Sequence, residues 1–160
     1  RMARIVSFIN PWVDPLGSGF QIIQSLYAIG PSGLLGKGFG NSIQKHFYLP
    51  EPQTDFIFAI ISEEFGFLGV LIVTFLFMII YYKSIKIALS CKDLFSKYLV
   101  FGLSSEILIQ ATLNLSVVVG LIPVTGVTLP FISYGGSSLL VSMMSIGIIL
   151  GVERSNKKLM

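Results

Sequence analysis

Charged residues, cysteine and histidine are all scarce in this 160-residue sequence. Asp, Glu, Lys and Arg make up only 12% of it, whereas soluble domains carry about 25% charged residues. The single cysteine, Cys91, excludes an internal disulfide framework, and with His46 as the single histidine no Cys/His set is available to bind zinc. Gly36-Lys37 does not complete a phosphate-binding P-loop, because Pro31 stands where that motif requires its first glycine. The chain therefore lacks the signatures of a disulfide-rich, zinc-binding or P-loop protein.

Apolar residues make up 53% of the chain, and they gather in long blocks. A helix that crosses a bilayer needs about 20 predominantly apolar residues. The blocks predict three transmembrane helices, at about residues 56–82, 98–122 and 138–152. The third block is short, so its helix would have to borrow length from its flanks. The predicted fold class is an all-α polytopic membrane protein.

Basic residues lie beside these apolar blocks, which is the pattern of membrane topology and not of nucleic-acid binding. The loop at 83–97 holds four lysines against one aspartate, and the tail at 153–160 holds three basic residues against one glutamate. By the positive-inside rule both segments are predicted to be cytoplasmic. Residues 1–55 and the loop at 123–137 would then face outward. The long outer segment is predicted to contain a short amphipathic helix from Gln21 to Ile29.

The acid best placed for chemistry is Asp55, where the outer segment meets the first apolar block. Thr54 and Asp55 both belong to the residue types that cap helix N-termini. The dipole of the following helix also favours an ionised aspartate, which is the state that a general base requires. The pattern therefore leaves both a capping role and a catalytic or binding role open, and the two are compatible. Glu51 lies just upstream in the same stretch.

Further polar residues lie inside the apolar blocks. Glu63 and Glu64 fall about two turns into the first span, where an acid is costly and either faces a wet cavity or pairs with a cation on a helix outside this chain. Glu106, Gln110 and Asn114 recur every four residues and form one stripe on the second span. That stripe either makes interhelical hydrogen bonds or forms the polar wall of a cavity.

The third span is preceded by Gly135, Gly136, Ser137 and Ser138. Irregular backbone near membrane depth must be buried in protein or line a cavity. Backbone N–H groups at a glycine-rich helix N-terminus make a natural seat for an anion. An ordinary serine-capped turn is the alternative interpretation.

Several motifs resemble the SEDS family, which contains FtsW, RodA and SpoVE. They run in order along nearly the whole chain: Asn10-Pro-Trp-Val-Asp-Pro15, Gly19-Phe-Gln-Ile-Ile-Gln-Ser-Leu-Tyr-Ala-Ile-Gly30, Gln44-Lys45, Tyr48-Leu-Pro-Glu51, Thr54-Asp-Phe-Ile-Phe-Ala59, Pro123, Thr125-Gly126, Thr128-Leu-Pro130 and Ser133-Tyr-Gly-Gly-Ser-Ser138. The Pro-Trp-x-Asp-Pro element and the Gln-Ser-Leu-Tyr run resemble the FtsW/SpoVE branch more than RodA.

This resemblance implies a bundle of about ten transmembrane helices, of which the chain would be the C-terminal part with three, inactive by itself. Residues 1–55 would form the large extracellular loop. The implied activity is that of an inverting peptidoglycan glycosyltransferase, which polymerises lipid II at the outer face of the bacterial cytoplasmic membrane during cell division or spore cortex synthesis. The implied partners are lipid II, the growing glycan chain and a class B penicillin-binding protein, the transpeptidase. Asp55 matches the family's essential loop aspartate.

Transfer of a sugar from a pyrophosphate-linked lipid with inversion needs one displacement, so one carboxylate suffices to activate the acceptor hydroxyl. We assign Asp55 as this general base. The leaving pyrophosphate needs positive charge or a divalent cation, Mg²⁺ or Mn²⁺. Lys45 and the backbone of residues 135–138 are the candidates near the pyrophosphate. Glu51, Glu63 and Glu64 are the remaining substrate-binding candidates, and no metal ligand or cofactor is assigned.

Two other functions stay open. In a lipid II flippase, the intramembrane acids Glu63, Glu64 and Glu106 would be the essential groups and Asp55 only a cap. In a non-catalytic scaffold that recruits the transpeptidase, substitution of Asp55 would still support growth or sporulation.

Overall fold

The computed structural model describes residues 7–15, 17, 19–42 and 54–158. Within these ranges the chain forms helices and no strand. Four α-helices are named here in chain order: α1 (Phe20–Ile29), α2 (Ile57–Ser90), α3 (Leu94–Val118) and α4 (Gly136–Lys158). Short 3-10 helices lie at Pro11–Val13 and Gly30–Ser32. The helices α2, α3 and α4 are long and apolar enough to cross a membrane, and the predicted all-α membrane fold is confirmed. The short helix predicted from Gln21 is also present, as α1.

The long helices extend beyond the predicted spans. Only residues 91–93 separate α2 from α3, so the loop predicted for 83–97 is wrong over most of its length. Its lysines have long side chains that reach water from a helix, so charge here ends the apolar run without ending the helix. The helix α4 likewise starts at Gly136 and runs to Lys158, past both ends of the predicted 138–152 span. Which of these residues lie within the bilayer stays a prediction.

The helix α2 is broken at Gly66, which has φ 63° and ψ −157°. Residues 33–38, called here the 33–38 strap, enter this break. Four backbone hydrogen bonds of 2.9–3.2 Å join the two segments: the N–H groups of Lys37 and Gly38 donate to the carbonyls of Glu63 and Glu64, and those of Phe67 and Leu68 donate to the carbonyls of Gly33 and Leu34. The sequence predicted an unbroken span here, because the strap is remote in sequence and no proline marks the break.

Glycine is required on both sides of this junction. A Cβ at Gly66 would lie 2.4 Å from the backbone nitrogen of Gly36, and a Cβ at Gly36 would lie 2.3 Å from the carbonyl oxygen of Glu64. Both residues also have a positive φ, which residues other than glycine rarely adopt. The strap and the helix can therefore approach this closely only with glycine at both positions.

The main hydrophobic core lies at the end of the bundle that holds Asp55. It joins the start of α2, the second half of α3, α1 and the loop that follows α3, through buried side chains such as Phe56, Ile107, Val118 and Leu129. A smaller cluster of Ala88, Val100 and Ile149 joins α2, α3 and α4 near the opposite end. The larger core thus fixes α1 and the loop after α3 against the ends of α2 and α3.

Candidate functional site

Asp55 lies two residues before the first residue of α2. The N-cap position of that helix belongs to Phe56, which makes no side-chain capping hydrogen bond. The N-cap position thus differs from the predicted one, at Thr54 or Asp55, and a capping role for the Asp55 side chain stays a prediction. Phe56 is only 1% exposed, and its burial in the core places the helix start one residue later than the polar pattern indicates. Asp55 itself is half-buried.

The backbone of Asp55 is held by a side chain from α3. Asn114 Nδ2 donates to the carbonyl oxygen of Asp55 at 2.8 Å and to that of Val127 at 2.7 Å. Asn114 is 1% exposed, so these bonds form away from water, where an unmade hydrogen bond is costly. One buried amide thus ties the Asp55 segment to the loop between α3 and α4.

A second side chain makes the same kind of link one residue earlier. Ser133 Oγ donates to the carbonyl oxygen of Thr54 at 2.6 Å and accepts from the backbone N–H of Leu129 at 2.7 Å. Consecutive carbonyls, those of Thr54 and Asp55, are therefore bound from two different elements. We call this pair of links, through Asn114 and Ser133, the carbonyl clamp.

The loop after α3 passes directly beside the carboxylate of Asp55. A Cβ at Gly126 would lie 3.7 Å from Asp55 Oδ2, so the backbone of this loop forms one wall next to that oxygen. Gly126 has φ 74°, a conformation that favours glycine. Gly126 therefore places no side chain of its own beside the carboxylate.

The same loop reaches the N-terminus of α4. Thr128 Oγ1 donates to Ser138 Oγ at 2.8 Å, and Gln110 Nε2 donates to the carbonyl oxygen of Thr128 at 3.2 Å. Gly136 and Ser137 are exposed in the first turn of α4, where backbone N–H groups lack partners within the helix. The loop therefore connects two predicted site elements, Asp55 and residues 135–138, that are some eighty residues apart in the sequence.

Glu63 is 0% exposed at the break in α2, and both of its carboxylate oxygens have partners. Lys37 Nζ donates to Oε1 and Ser42 Oγ donates to Oε2, each at 2.6 Å. The predicted partner, a cation on a helix outside the chain, is therefore wrong, because Glu63 pairs with Lys37 of the same chain. Sequence reasoning missed Lys37 and Ser42 because neither lies in a recognisable motif. A role for Glu63 in substrate binding stays a prediction.

Glu64 differs from its neighbour. It is 5% exposed, and its Oε1 has no hydrogen-bond partner in the part of the chain that the structure describes. Its backbone carbonyl is bound by the strap residue Gly38 at 3.0 Å. The pair therefore consists of one carboxylate that binds Lys37 and Ser42 and one with a buried oxygen that makes no hydrogen bond within the described residues. A substrate role for Glu64 stays a prediction.

The polar stripe on α3 divides into parts with different surroundings. Asn114 is buried, Gln110 is half-buried, and Glu106 is exposed. The two amides bind backbone carbonyls of loops and not of another helix, so the hydrogen bonds observed for the stripe differ from the interhelical ones predicted. Glu106 lines an open groove of about 430 Å³ along α3, together with Gln110, Ile109 and Leu113.

Two predicted site residues, Lys45 and Glu51, lie outside the described residues. Within the described ranges no group of three or more His, Cys, Asp and Glu side chains is close enough to hold a metal ion. A divalent cation at the pyrophosphate therefore stays a prediction for which these residues supply no ligand set. Ser133, a member of the clamp, was visible in the sequence only as part of a family motif.

Known proteins resemble the chain along its whole length. The family model described as "Cell cycle protein", for FtsW, RodA and SpoVE, matches residues 1–158. Stage V sporulation protein E of Bacillus subtilis (strain 168) is 58% identical over 98% of this chain and 43% of its own length. The probable peptidoglycan glycosyltransferase FtsW of Geobacter sp. (strain M18) is 47% identical over 96% of this chain and 42% of its own length.

Solved structures agree with this relationship. A chain from a peptidoglycan synthase complex, solved in work on the coordination of polymerization and crosslinking, has a TM-score of 0.74 and 36% identity, covering 96% of this chain and 41% of that one. An Asp-to-Ala variant of the rod shape-determining protein RodA of Thermus thermophilus has a TM-score of 0.64 and 34% identity, covering 82% of this chain and 40% of that one. The chain thus spans about two fifths of the length of the relatives it matches, and it belongs to the FtsW/RodA/SpoVE family of multi-pass membrane proteins.

Proposed function

We propose that the protein is a peptidoglycan glycosyltransferase that polymerises lipid II, with Asp55 as the general base. The observation that carries this proposal is the carbonyl clamp: Asn114 and Ser133 bind the carbonyls of Asp55 and Thr54 from two different elements. Catalytic groups need a fixed orientation toward the reacting atoms. The clamp supplies it for a carboxylate that stands beside Gly126 in the loop after α3. The names of the FtsW relatives support the same activity.

In the proposed reaction, Asp55 accepts the proton of the acceptor sugar hydroxyl as that oxygen attacks the anomeric carbon of the donor. The bond to the pyrophosphate oxygen breaks, and the lipid pyrophosphate leaves as an anion. The position of Asp55 just before α2 suits the ionised form, because a helix N-terminus favours negative charge. One carboxylate is sufficient, since the leaving group needs charge stabilisation and no proton.

The N-terminus of α4 is the proposed seat of the pyrophosphate. Gly136 and Ser137 are exposed there, and Thr128 links Ser138 to the loop that passes Asp55. Free backbone N–H groups at a helix N-terminus suit phosphate oxygens. Lys45 would add positive charge from the outer segment. The attacking hydroxyl and the leaving pyrophosphate would then lie on the two sides of the loop between α3 and α4.

The proposal includes an orientation and a partner. The basic residues near the ends of α2 and α4 support a cytoplasmic location for those ends, so Asp55 would face the outside. The similarity to a chain of a peptidoglycan synthase complex supports a partnership with a class B penicillin-binding protein that cross-links the product. Synthesis at division or in the spore cortex is supported by the names of the FtsW and sporulation relatives.

Reconstitution of the full-length protein with purified lipid II tests the proposal. Asp55→Asn should abolish glycan polymer while leaving membrane insertion and thermal unfolding unchanged. Asp93→Asn is the matched control, because it removes one carboxylate at the opposite end of the bundle and asparagine also caps a helix; its polymer yield should equal that of the unsubstituted protein. Near-normal polymer from Asp55→Asn would refute the assignment of the base.

The same reconstitution tests for a transporter, and a growth or sporulation assay tests for a scaffold. Movement of lipid II across vesicles without polymer would indicate a transporter. In that case Glu63 would have to change partners, yet both of its oxygens are bound by Lys37 and Ser42. Growth or sporulation supported by Asp55→Asn would indicate a scaffold.

A further inference from the structure

A groove lies between α2 and α4 at the end of the bundle opposite Asp55. Its volume is about 510 Å³. Apolar side chains form its walls, and two lysines stand at its rim. The residues that matter here are Ile80, Lys83 and Lys86 of α2 and Ile146, Ile149 and Leu150 of α4.

The residues that line the groove lie at different depths along the helix axes. Lys83 is the first charged residue after the uncharged run of residues 65–82, so it lies where the apolar part of α2 ends. Ile80 is about one helical turn nearer to the centre of that run, and Ile146 is about two turns nearer to the centre of α4 than Glu153. The apolar walls thus face the hydrocarbon region, and the lysines stand at the level of the lipid headgroups.

The rim carries positive charge that no ion pair among the described residues neutralises. Among the described residues the ion pairs are Lys37–Glu63 and Lys157–Glu153. Glu153, the acid among the described residues that line the groove, is bound to Lys157 at 2.5 Å. Lys86 Nζ lies 4.6 Å from the centre of the Tyr82 ring, a cation–π contact that holds the ammonium group at the rim.

We propose that this groove binds an anionic phospholipid of the adjacent leaflet, with its phosphate between Lys83 and Lys86 and an acyl chain along Ile80, Ile146 and Ile149. A basic pocket between transmembrane helices is the arrangement that recognises anionic headgroups. A covering helix from the same protein would match the apolar walls, but it would leave two adjacent cations facing it. The charge of the rim therefore favours the lipid. This inference is independent of the proposed catalytic activity.

Native mass spectrometry of the full-length protein, titrated with phosphatidylglycerol or phosphatidylcholine, tests the proposal. We expect phosphatidylglycerol to bind in preference to phosphatidylcholine. Lys83→Gln combined with Lys86→Gln should weaken the first phosphatidylglycerol site roughly tenfold, since each lysine near an anionic headgroup contributes substantially to binding. Lys92→Gln combined with Lys97→Gln is the matched control, because it removes the same charge at the same end but outside the groove, and the affinity should change less than twofold.

A second variant tests the apolar part of the groove. Leu150→Trp fills it without altering charge, and it should also weaken phosphatidylglycerol binding severalfold while unfolding at the same temperature as the parent. Equal losses in the two lysine pairs would show general attraction to the surface and overturn the proposal. Equal binding of the two lipids would also overturn the proposal. The absence of bound lipid from the full-length protein would overturn it too, since it would mean that other parts of the protein cover the groove.

Discussion

Asn114 Nδ2 donates a hydrogen bond of 2.8 Å to the carbonyl oxygen of Asp55, although the two residues are 59 positions apart. The same nitrogen binds the carbonyl of Val127 at 2.7 Å. Asn114 therefore connects the start of α2 with the loop before α4, and it does so without contacting water. If Asp55 is the base, its orientation depends on a side chain that does no chemistry itself.

The first prediction concerns this link. Asn114→Asp removes both donors and turns a carboxylate toward two carbonyl oxygens, so the Asp55 backbone should shift. A misplacement of about 1 Å can reduce turnover by roughly 100-fold, and we expect a loss of that order in kcat for lipid II polymerisation. The KM for lipid II should change less than threefold. Steady-state kinetics on the reconstituted full-length protein measures both constants.

A neighbouring amide provides the control for Asn114→Asp. Gln110→Glu alters a donor one helical turn away, which binds the Thr128 carbonyl at 3.2 Å and does not touch the Asp55 segment. Its loss of kcat should be much smaller. Equal kinetic losses in the two variants would contradict a specific positioning role, as would full activity in a folded Asn114→Asp protein.

The second prediction concerns the break in α2. Gly66→Ala would force a side chain into a positive-φ position and within 2.4 Å of Gly36 N. We expect a loss of at least about 2 kcal/mol in the free energy of unfolding, observed as a lower unfolding temperature. Gly147→Ala is the control, since no atom lies within 4 Å of the new Cβ on α4, and its stability should be unchanged or slightly higher. Two equally stable variants would refute the close junction.

The third prediction concerns the pair of Lys37 and Glu63. Lys37→Met removes the cation bound to the Glu63 carboxylate, which is 0% exposed, and breaking a buried pair in this way costs about 3 kcal/mol. Glu63→Gln should cost less, because the Lys37 side chain is 30% exposed and can turn toward water. The double variant should lose less than the sum of the single losses. Additive losses in thermal unfolding would rule out the pairing.

The fourth prediction is a pH dependence at the start of α3. Asp93 accepts hydrogen bonds from the backbone N–H and the hydroxyl of Ser96, both at 3.0 Å, and these bonds, the backbone one foremost, lower the pKa of Asp93. Because the folded-state pKa is the lower one, the capping contribution is complete above the unfolded-state pKa of about 3.9 and is lost as the pH falls through the folded-state value.

Asp93→Asn isolates this contribution, because asparagine also caps a helix but does not titrate. The difference in unfolding temperature between the two proteins should be constant above about pH 5 and change only below about pH 4. A difference that stays constant down to pH 3 would contradict the depressed pKa.

Local features of the sequence predicted the helices well. The apolar blocks predicted three long membrane helices, and α1 followed from its own periodicity, because hydropathy and helix periodicity are properties of neighbouring residues. The exact helix ends were not predictable in the same way. Lys83 and Lys86 marked the end of the apolar block, while the helix itself continued to Ser90.

The site was predicted in part. Asp55 and residues 135–138 were chosen from their types and motifs, and Asn114 was recognised only as one member of a polar stripe. The sequence by itself thus determined the membrane-helical architecture, the family and the candidate aspartate. The tertiary structure alone decided the break at Gly66, the pairing of Lys37 with Glu63 and the clamp on Asp55. Each of these joins segments that are far apart in the chain, and a hydrogen bond or a steric fit between such segments leaves no periodic signal in either one.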